Sequence, residues 1–383
     1  MKPPKTGIRR FRFTEVIVPA NPGTIETPGL NKPLHKIPLG GKPAWSMQFD
    51  RLPKLLIEME LADGTIGLGE CYRAHDRRLV DEIAGHLLGM DLAEIPLQAL
   101  PIAACREYDG FECAAWDAFA RHHDCRVVDL LGGPARTAVP VGAWTGQRES
   151  AAEAGEIAAN CRKTGHDCIK FKCDLGDDVV AWARAVADAA PGMRVILDPN
   201  ERWESPHQAR SRIAALAEVG NVLCLEDPLP RWMLHEFARL RGQWPVAIAL
   251  HVSLPYIVLG NQRTDAVLAL LHGAVDGFNF NGSIRGMRQL THLAELAGLP
   301  CWHGSEIDLG ILEARYIHVA AAAATCVWPS DIFGRMVRSH DLLENPIRIE
   351  PPVAHLPDGP GLGVALDQDA VGEYRIESWE ACA

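Results

Sequence analysis

The segment CIKFKCDLGDDVVAWARAVADAAPGMRVILDPN, residues 168–200, contains a strand pattern, a helix pattern and a second strand pattern in succession. Its two ends, CIKFK (168–172) and RVILD (194–198), are short and apolar with β-branched or aromatic residues, which is typical of strands. The stretch between them is rich in alanine, which favours a helix. A strand, a helix and a strand in this order predict one βαβ unit of a parallel sheet.

The same alternation continues along the chain. Further strand candidates are VPVGAW (139–144), VLCLE (222–226), VAIALH (246–251), VDGFNF (275–280) and LPCWH (299–303). Their spacing of roughly 22 to 30 residues is that of successive βαβ units. About seven or eight such units favour a closed (β/α) barrel over an open doubly wound sheet. Neither GxGxxG nor GxxxxGK[ST] occurs to indicate a nucleotide-binding fold.

The part of the chain before the barrel has a different pattern. Two strand candidates, IRRFRFTEVIV (8–18) and KLLIEMELADGTIGLGE (54–70), flank a loop rich in proline and glycine, and helices follow. We interpret residues 1–135 as an α+β capping domain and residues 136–360 as the barrel. The strand-like tail, residues 361–383, is expected to return to the cap.

The long loop between the two cap strands is typical of a lid or of a disordered segment. It contains His35 and Trp45, which are candidate substrate-binding residues, although both side chains could equally well only pack the loop.

Composition limits the classes of partner. The 383 residues are 48% hydrophobic and 23% charged, and no apolar run reaches the length of about 18 residues that spans a bilayer. A net charge of −11 argues against a nucleic-acid surface, so any anionic substrate must be held by local cations. The eleven cysteines include no CxxC pair, and the N-terminus lacks a secretory signal, which together predict a reduced, cytoplasmic setting.

Polar side chains recur where the predicted barrel strands end. In barrels of this kind, catalytic groups lie at the carboxyl ends of the strands. The residues at these ends are Lys170, Lys172, Asp198, Glu226, His251, Asn281 and His303. Two carboxylates at one mouth favour a hard divalent cation such as Mg²⁺. The two lysines share one face of their strand and would be costly to bury without an anion, so they are candidates for binding a carboxylate or for acting as a base.

Each of these residues also has a purely structural explanation. A strand-end Asp or Glu often caps the next helix, and a single buried His is more often a hydrogen-bonded structural residue than a ligand. Two buried lysines could simply be neutralised by carboxylates. One shared site nevertheless explains all the positions together, whereas the structural explanations require a coincidence at several successive strands.

The motifs as a set resemble the enolase superfamily, in its mandelate racemase and muconate lactonizing enzyme branch. The matching pieces run in the family's order over nearly the whole chain: GLGE (67–70), AAWDAFARHHDCRVVDLLGG (114–133), KFK (170–172), LDPN (197–200), LEDP (225–228), GSIRGM (282–287), ARYIHVAAA (314–322) and DGPGLGV (358–364). The resemblance implies an α+β cap on a modified (β/α)7β barrel, bound Mg²⁺, a small carboxylate substrate, a homo-oligomer, and abstraction of the proton alpha to the carboxylate.

The resemblance also implies roles for individual residues. Asp198 and Glu226 would be metal ligands, Lys172 a base, and Lys170 a contact of the substrate carboxylate. His303 would act on the opposite face of the substrate. Asn200 of LDPN and Asn281 are candidate substrate-binding residues.

Two positions depart from the family pattern. Where a third carboxylate ligand is usual, this chain has Leu250 and His251, and a neutral imidazole at this place would shift the preference from Mg²⁺ towards Mn²⁺, Fe²⁺ or Zn²⁺. Asn281 stands where relatives have a lysine base or an aspartate that pairs with the histidine, and an amide cannot titrate. His303 therefore lacks that partner, although Glu306 and Asp308 are close in sequence.

Since racemisation needs a base on each face of the substrate, these departures favour a hydro-lyase. In that reaction Lys172 would take the α-proton of a sugar acid or small hydroxy acid, and His303 would protonate the departing hydroxyl. A racemase, epimerase or cycloisomerase of the same superfamily is the first alternative. A relative that binds an anion without catalysis is the second.

Overall fold

The computed structural model describes residues 5–24, 53–72, 75–146, 150–203, 205–252 and 262–383. The candidate substrate-binding residues His35 and Trp45 lie outside these ranges. Within them, every helix is too short or too polar to cross a membrane.

An antiparallel sheet of four strands forms the cap. Its strands, in spatial order, are β14 (Arg375–Cys382), β1 (Ile8–Val16), β2 (Lys54–Leu61) and β3 (Ile66–Cys71). Phe11 and Phe13 alternate with arginines along β1 and are fully buried, as expected for a sheet with one apolar face. The last strand of the chain therefore completes the sheet that the first strand begins.

Three helices accompany the cap sheet: α1 (Arg77–Leu87), α2 (Tyr108–His122) and α3 (Val127–Leu130). Helix α2 lies so close to β3 that the glycines of GLGE are required there. A Cβ atom at Gly69 would lie 2.1 Å from the carbonyl oxygen of Gly110, and one at Gly67 would lie 2.2 Å from that of Ala114. The motif thus sets the distance between the sheet and its helix.

Among the described residues, seven parallel strands form the main sheet. In spatial and chain order they are β5 (Ala143–Thr145), β6 (Cys168–Lys172), β7 (Arg194–Asp198), β8 (Val222–Glu226), β9 (Ala247–Val252), β10 (Gly277–Phe280) and β11 (Cys301–His303). The helices between and after them are α4 (Ala151–Lys163), α5 (Val179–Ala189), α6 (Pro206–Val219), α7 (Leu234–Leu240), α8 (Gln262–Leu271), α9 (Ile284–Leu296) and α10 (Gly310–Ala322). The predicted barrel with an α+β cap is confirmed.

The closing segment, residues 326–331, lies between the first and last strands of this sheet. Cys326 forms a parallel bridge with Cys301 of β11, and Ser330 forms one with Val141, just before β5. The segment therefore closes the ring and brings Asp331 to the same end as the other strand termini.

One predicted strand is divided. VPVGAW (139–144) covers the last two residues of β4 (Ala138–Pro140) and the first two of β5. Strand β4 pairs with β13 (Val353–His355) in a separate sheet that also includes β12 (Ile349–Glu350). The short helix α11 (Gln368–Tyr374) precedes the final strand. By contrast, β6, β7 and β8 have the bounds that their sequence patterns predict.

Candidate active site

The site is built from the carboxyl ends of β6, β7 and β8. Asp198 and Glu226 are the last residues of adjacent strands, and their side chains are fully buried. Both face the ammonium group of Lys170: its Nζ lies 2.7 Å from Glu226 Oε2 and 3.3 Å from Asp198 Oδ2. Because parallel strands end at one edge of the sheet, residues far apart in sequence converge on a single cation.

A third carboxylate completes the surroundings of Lys170. Asp331 Oδ2 accepts a hydrogen bond of 2.9 Å from Lys170 Nζ, and the backbone N–H of Asp331 donates to the carbonyl oxygen of His303 at 2.8 Å. Asp331 is not among the site residues predicted from the sequence. A signal was present, because VWPSD (327–331) is a short segment that ends in an acid after a helix, in the manner of LDPN.

The charges of this cluster are strongly coupled. Burial lowers the pKa of Lys170, but Asp331, Glu226 and Asp198 outweigh burial and keep the ammonium charged. Burial also raises the pKa of Asp198, yet the ammonium groups of Lys172 and Lys170 hold it below the usual range. Burial and the nearby charge of Asp198 raise the pKa of Glu226 above its usual range. The nearby lysines therefore stabilise the charged form of Asp198, whereas the charged form of Glu226 is disfavoured.

Lys172 lies on the accessible side of the cluster. Its side chain is 13% exposed, against 3% for Lys170, and its ammonium group donates a hydrogen bond to Asp198 Oδ2. The two lysines of KFK thus differ in environment: Lys170 is enclosed by three carboxylates, while Lys172 can meet a ligand that enters from solvent.

The pocket in front of this cluster has about 470 Å³ of empty space, including space open to solvent. Its walls combine charged and polar groups with aromatic and apolar ones, namely Trp144, Lys170, Lys172, Asn200, His251, Ser305, Glu306, Ile307, Asp331 and Phe333. Of the sequence-predicted site residues, the pocket wall thus includes both lysines, Asn200 and His251.

His251 lies at the end of β9, beside the carboxylate pair. Its Nδ1 is 3.3 Å from Glu226 Oε1, and its backbone N–H donates to Asp227 Oδ1 at 2.9 Å. Burial first, and then the positive charge of Lys170, hold the pKa of His251 well below its usual range. The imidazole is therefore neutral and can offer a nitrogen lone pair.

The asparagines have different surroundings from one another. Asn200 accompanies Asp198, whose Oδ1 accepts a hydrogen bond of 3.0 Å from the Asn200 backbone N–H. The Asn281 amide oxygen lies 3.3 Å from His251 Nε2, and Asn281 borders a second cavity near the cap. Asn279, which the sequence analysis did not single out, donates to Glu226 Oε1 at 2.9 Å. Its signal was the alternation FNFN (278–281), which turns both asparagines to one side.

His303 is buried in the barrel wall and does not border the pocket described above. Its Nδ1 lies 2.6 Å from the carbonyl oxygen of Gly304, so Nδ1 carries the hydrogen, and its ring stacks on Tyr316 at 3.9 Å between centroids. Its Nε2 is buried, with no hydrogen-bond partner among the described residues. Burial and the charge of Arg315 lower the pKa of His303 to about 3.

The two acids that follow His303 in sequence lie in different places. Glu306 borders the pocket, whereas Asp308 is buried and accepts hydrogen bonds from Lys54 of β2 and from Tyr316. Lys54 Nζ also lies 2.8 Å from Glu70 Oε1, and Glu70 in turn accepts hydrogen bonds from the first turns of α10. This second buried lysine ties the cap to the barrel.

The carboxylate pair fits a divalent cation on two observations. First, Asp198 and Glu226 already face one common positive charge, that of Lys170. Second, Glu226 Oε2 is a buried oxygen that has no hydrogen-bond partner among the described residues apart from its ion pair with Lys170. His251 adds a neutral nitrogen donor beside them. In the part of the chain that the structure describes, however, no three of the His, Cys, Asp and Glu side chains are already arranged as a metal site, so a cation would have to displace the Lys170 ammonium group.

Comparison with known proteins shows the family of the chain. The family model described as "Enolase C-terminal domain-like" matches residues 153–370, which is more than half of the chain. The chain belongs to the enolase superfamily. Its mandelate racemase and muconate lactonizing enzyme branch, expected from the motifs, is confirmed.

Curated relatives of this superfamily member align over most of its length. Muconate cycloisomerase 1 of Rhodococcus opacus is 29% identical over 86% of this chain and 84% of its own. D-galactarolactone cycloisomerase of Agrobacterium fabrum is 26% identical over 86% of this chain and 93% of its own length. The probable glucarate dehydratase of Streptomyces coelicolor is 26% identical over 94% of this chain and 89% of its own length.

Solved structures share the fold. The muconate lactonizing enzyme of Pseudomonas fluorescens, complexed with muconolactone, superposes with a TM-score of 0.80 at 22% identity, over 97% of this chain and all of that one. N-succinyl Arg/Lys racemase of Bacillus cereus superposes with a TM-score of 0.78 at 17% identity, over 98% of this chain and 100% of that one. With such relatives, the chain is an enzyme of the lyase or isomerase type.

Proposed function

We propose that this enzyme removes the proton alpha to the carboxylate of a small hydroxy acid or sugar acid, and that it then eliminates water from the neighbouring carbon. The single observation that carries the proposal is the placement of Lys172. It borders the pocket, contacts the Asp198 carboxylate, and lies beside an ammonium group that three carboxylates keep charged.

A divalent cation, Mg²⁺ in the first place, would be held by Asp198, Glu226 and His251, and when bound it supplies positive charge next to the substrate carboxylate. The imidazole in this set also admits Mn²⁺, Fe²⁺ or Zn²⁺. The lysines of the chain would also supply positive charge next to the substrate carboxylate. Lys170, displaced from between the two acids, would pair with the substrate carboxylate, where negative charge grows as the α-proton leaves.

Lys172 in its neutral form would accept the α-proton. The electrons of the broken C–H bond form the new double bond, and the C–O bond on the adjacent carbon breaks. His303 was predicted to protonate the departing oxygen, but its Nδ1–H is given to Gly304 and a pKa of about 3 keeps it neutral. We therefore propose that the Lys172 ammonium group returns the proton to the hydroxyl on the same face, so that water leaves.

Cycloisomerisation is the second candidate, and the relatives favour it. Muconate and chloromuconate cycloisomerases at 27–29% identity align over 86–87% of this chain. Opening or closing a lactone can use the same proton on the same face and differs only in the leaving group. Racemisation has less support, because His303 does not border the pocket.

The test is incubation with a panel of hydroxy acids, sugar acids and lactones in deuterated water, with Mg²⁺ or Mn²⁺. A dehydratase forms a keto acid that reacts with semicarbazide, a cycloisomerase converts lactone and open-chain acid, and a racemase returns substrate labelled at the α-carbon. Lys172→Ala should abolish turnover, whereas Lys163→Ala, at the exposed end of α4, should retain it.

The proposal is refuted if Lys172→Ala remains as active as the parent protein. If the parent neither turns over nor exchanges the α-proton of any acid that it binds, the non-catalytic alternative is correct.

A further inference from the structure

Two asparagines at the end of β10 hold two groups of the candidate metal site. The alternation FNFN turns Asn279 and Asn281 to the same side, while Phe278 and Phe280 pack in the core. Asn279 Nδ2 donates to Glu226 Oε1 at 2.9 Å, and Asn281 Oδ1 lies 3.3 Å from His251 Nε2. Both asparagines are buried, at 0% and 2% exposure.

The two ring nitrogens of His251 face different partners. Nδ1 is turned towards Glu226 Oε1 at 3.3 Å, and Nε2 towards Asn281. A neutral imidazole has one N–H, so only one of these contacts can be a hydrogen bond donated by the ring. If Nδ1 carried the hydrogen, it would donate to the carboxylate and could not ligate a cation held there.

The surroundings of Glu226 Oε1 favour the other tautomer. This oxygen already accepts the shorter hydrogen bond from Asn279. The Asn281 oxygen, in contrast, has the ring nitrogen as its hydrogen-bond partner among the described residues, and a hydrogen on Nε2 satisfies it. The backbone of His251 is also held, since its N–H donates a hydrogen bond to Asp227 Oδ1.

We propose that Asn281 is a positioning residue whose amide oxygen accepts the Nε2 hydrogen of His251, so that Nδ1 keeps its lone pair turned towards Glu226. From the sequence, Asn281 is predicted to bind substrate. This inference gives it a role in the metal site instead, through the imidazole. Its consequence for metal binding rests on the proposed function, whereas the tautomer itself does not. Groups that orient a metal-ligating histidine typically change metal affinity by about 10–100-fold when they are removed.

The first measurement is the tautomer of His251 in the metal-free protein, read from ¹⁵N and ¹H shifts of histidine-labelled samples and assigned with His251→Gln. The parent should show hydrogen on Nε2. Asn281→Asp, whose carboxylate can only accept, should keep this tautomer, and Asn281→Leu should lose it. Asn279→Leu frees Glu226 Oε1 to accept a hydrogen bond from the ring, so it should shift His251 towards hydrogen on Nδ1, but less than Asn281→Leu does, because the Asn281 oxygen remains as an acceptor.

The second measurement is Mn²⁺ affinity by titration calorimetry. Asn281→Leu should bind Mn²⁺ about 10–100-fold more weakly than the parent, and Asn281→Asp should bind it at least as tightly. A parent protein with hydrogen on Nδ1, or an Asn281→Leu variant with the parent's tautomer and affinity, would overturn the inference. If the parent binds no divalent cation, the proposed function fails, while the tautomer measurement still decides the role of Asn281.

Discussion

Replacing Lys170 by methionine would remove the one ammonium group that three buried carboxylates share. At an effective dielectric constant of about 20, a pair of unit charges 3.3 Å apart, as for Lys170 and Asp198, attracts by about 5 kcal/mol. The cost of removing these charges from water opposes this attraction. Truncating one partner of a buried ion pair typically costs about 3–5 kcal/mol, and we expect Lys170→Met to lower the free energy of unfolding by that amount.

A divalent cation should restore much of this loss. Without the Lys170 ammonium group, Glu226 loses its ion pair and Asp198 keeps only that with Lys172, so a cation no longer has to displace Lys170. At a concentration about 100 times its dissociation constant, a bound ion stabilises the folded state by about 2.7 kcal/mol. Urea unfolding of parent and variant, with and without Mg²⁺ or Mn²⁺, measures both effects.

Lys54→Met is the matched control. Lys54 is as buried as Lys170, at 1% exposure, and it pairs with Glu70 and Asp308, away from the pocket. This variant should be destabilised to a similar extent and should gain no more from the cation than the parent protein does. Equal rescue of both variants, or no rescue of Lys170→Met, would refute the reasoning that Asp198 and Glu226 form a cation site.

Three further predictions concern other parts of the molecule. Burial and the charge of Arg315 lower the pKa of His303 to about 3, so His303→Gln should leave the shape of the pH–rate profile unchanged between about pH 5 and pH 8. If the variant lost an inflection near the ordinary histidine pKa, the result would contradict this prediction. Burial raises the pKa of Glu313 from 4.5 to about 8, so the unfolded chain loses this proton first and stability falls as the pH rises through that range. The free energy of unfolding falls by at most about 5 kcal/mol, since each pKa unit between the folded and unfolded chains corresponds to about 1.4 kcal/mol. Urea titrations at several pH values should show that Glu313→Gln removes this fall. Gly69→Ala should cost about 3 kcal/mol or more in thermal or urea unfolding, because its Cβ would overlap Gly110, while Gly85→Ala in α1, which meets nothing within 4 Å, should stabilise by up to about 1 kcal/mol.

Local patterns predicted much of the fold. The bounds of β6, β7 and β8 follow from short apolar runs, and their spacing indicated a parallel barrel. The division of VPVGAW between two sheets could not be predicted in this way. A three-residue strand has too little pattern of its own, and the choice of partner for β4 depends on β13, which lies more than 200 residues later.

The site was only partly predictable for a related reason. Strand-end position indicated Lys170, Lys172, Asp198, Glu226 and His251, because parallel strands must end together. Asp331, the third carboxylate on Lys170, was missed although VWPSD ends in an acid, because the closing segment enters the barrel through isolated bridges and has no regular strand pattern.

The sequence by itself determined which chemical groups gather at the barrel mouth, because chain alternation fixes the face and the end of each strand. Only the tertiary structure decided what those groups do to one another. Whether Lys170 meets three acids, whether His303 borders the pocket, and which nitrogen of His251 faces Glu226 depend on contacts of a few ångströms between distant segments. Burial makes those contacts decisive, because a charge or a lone pair removed from water must find its partner within the protein.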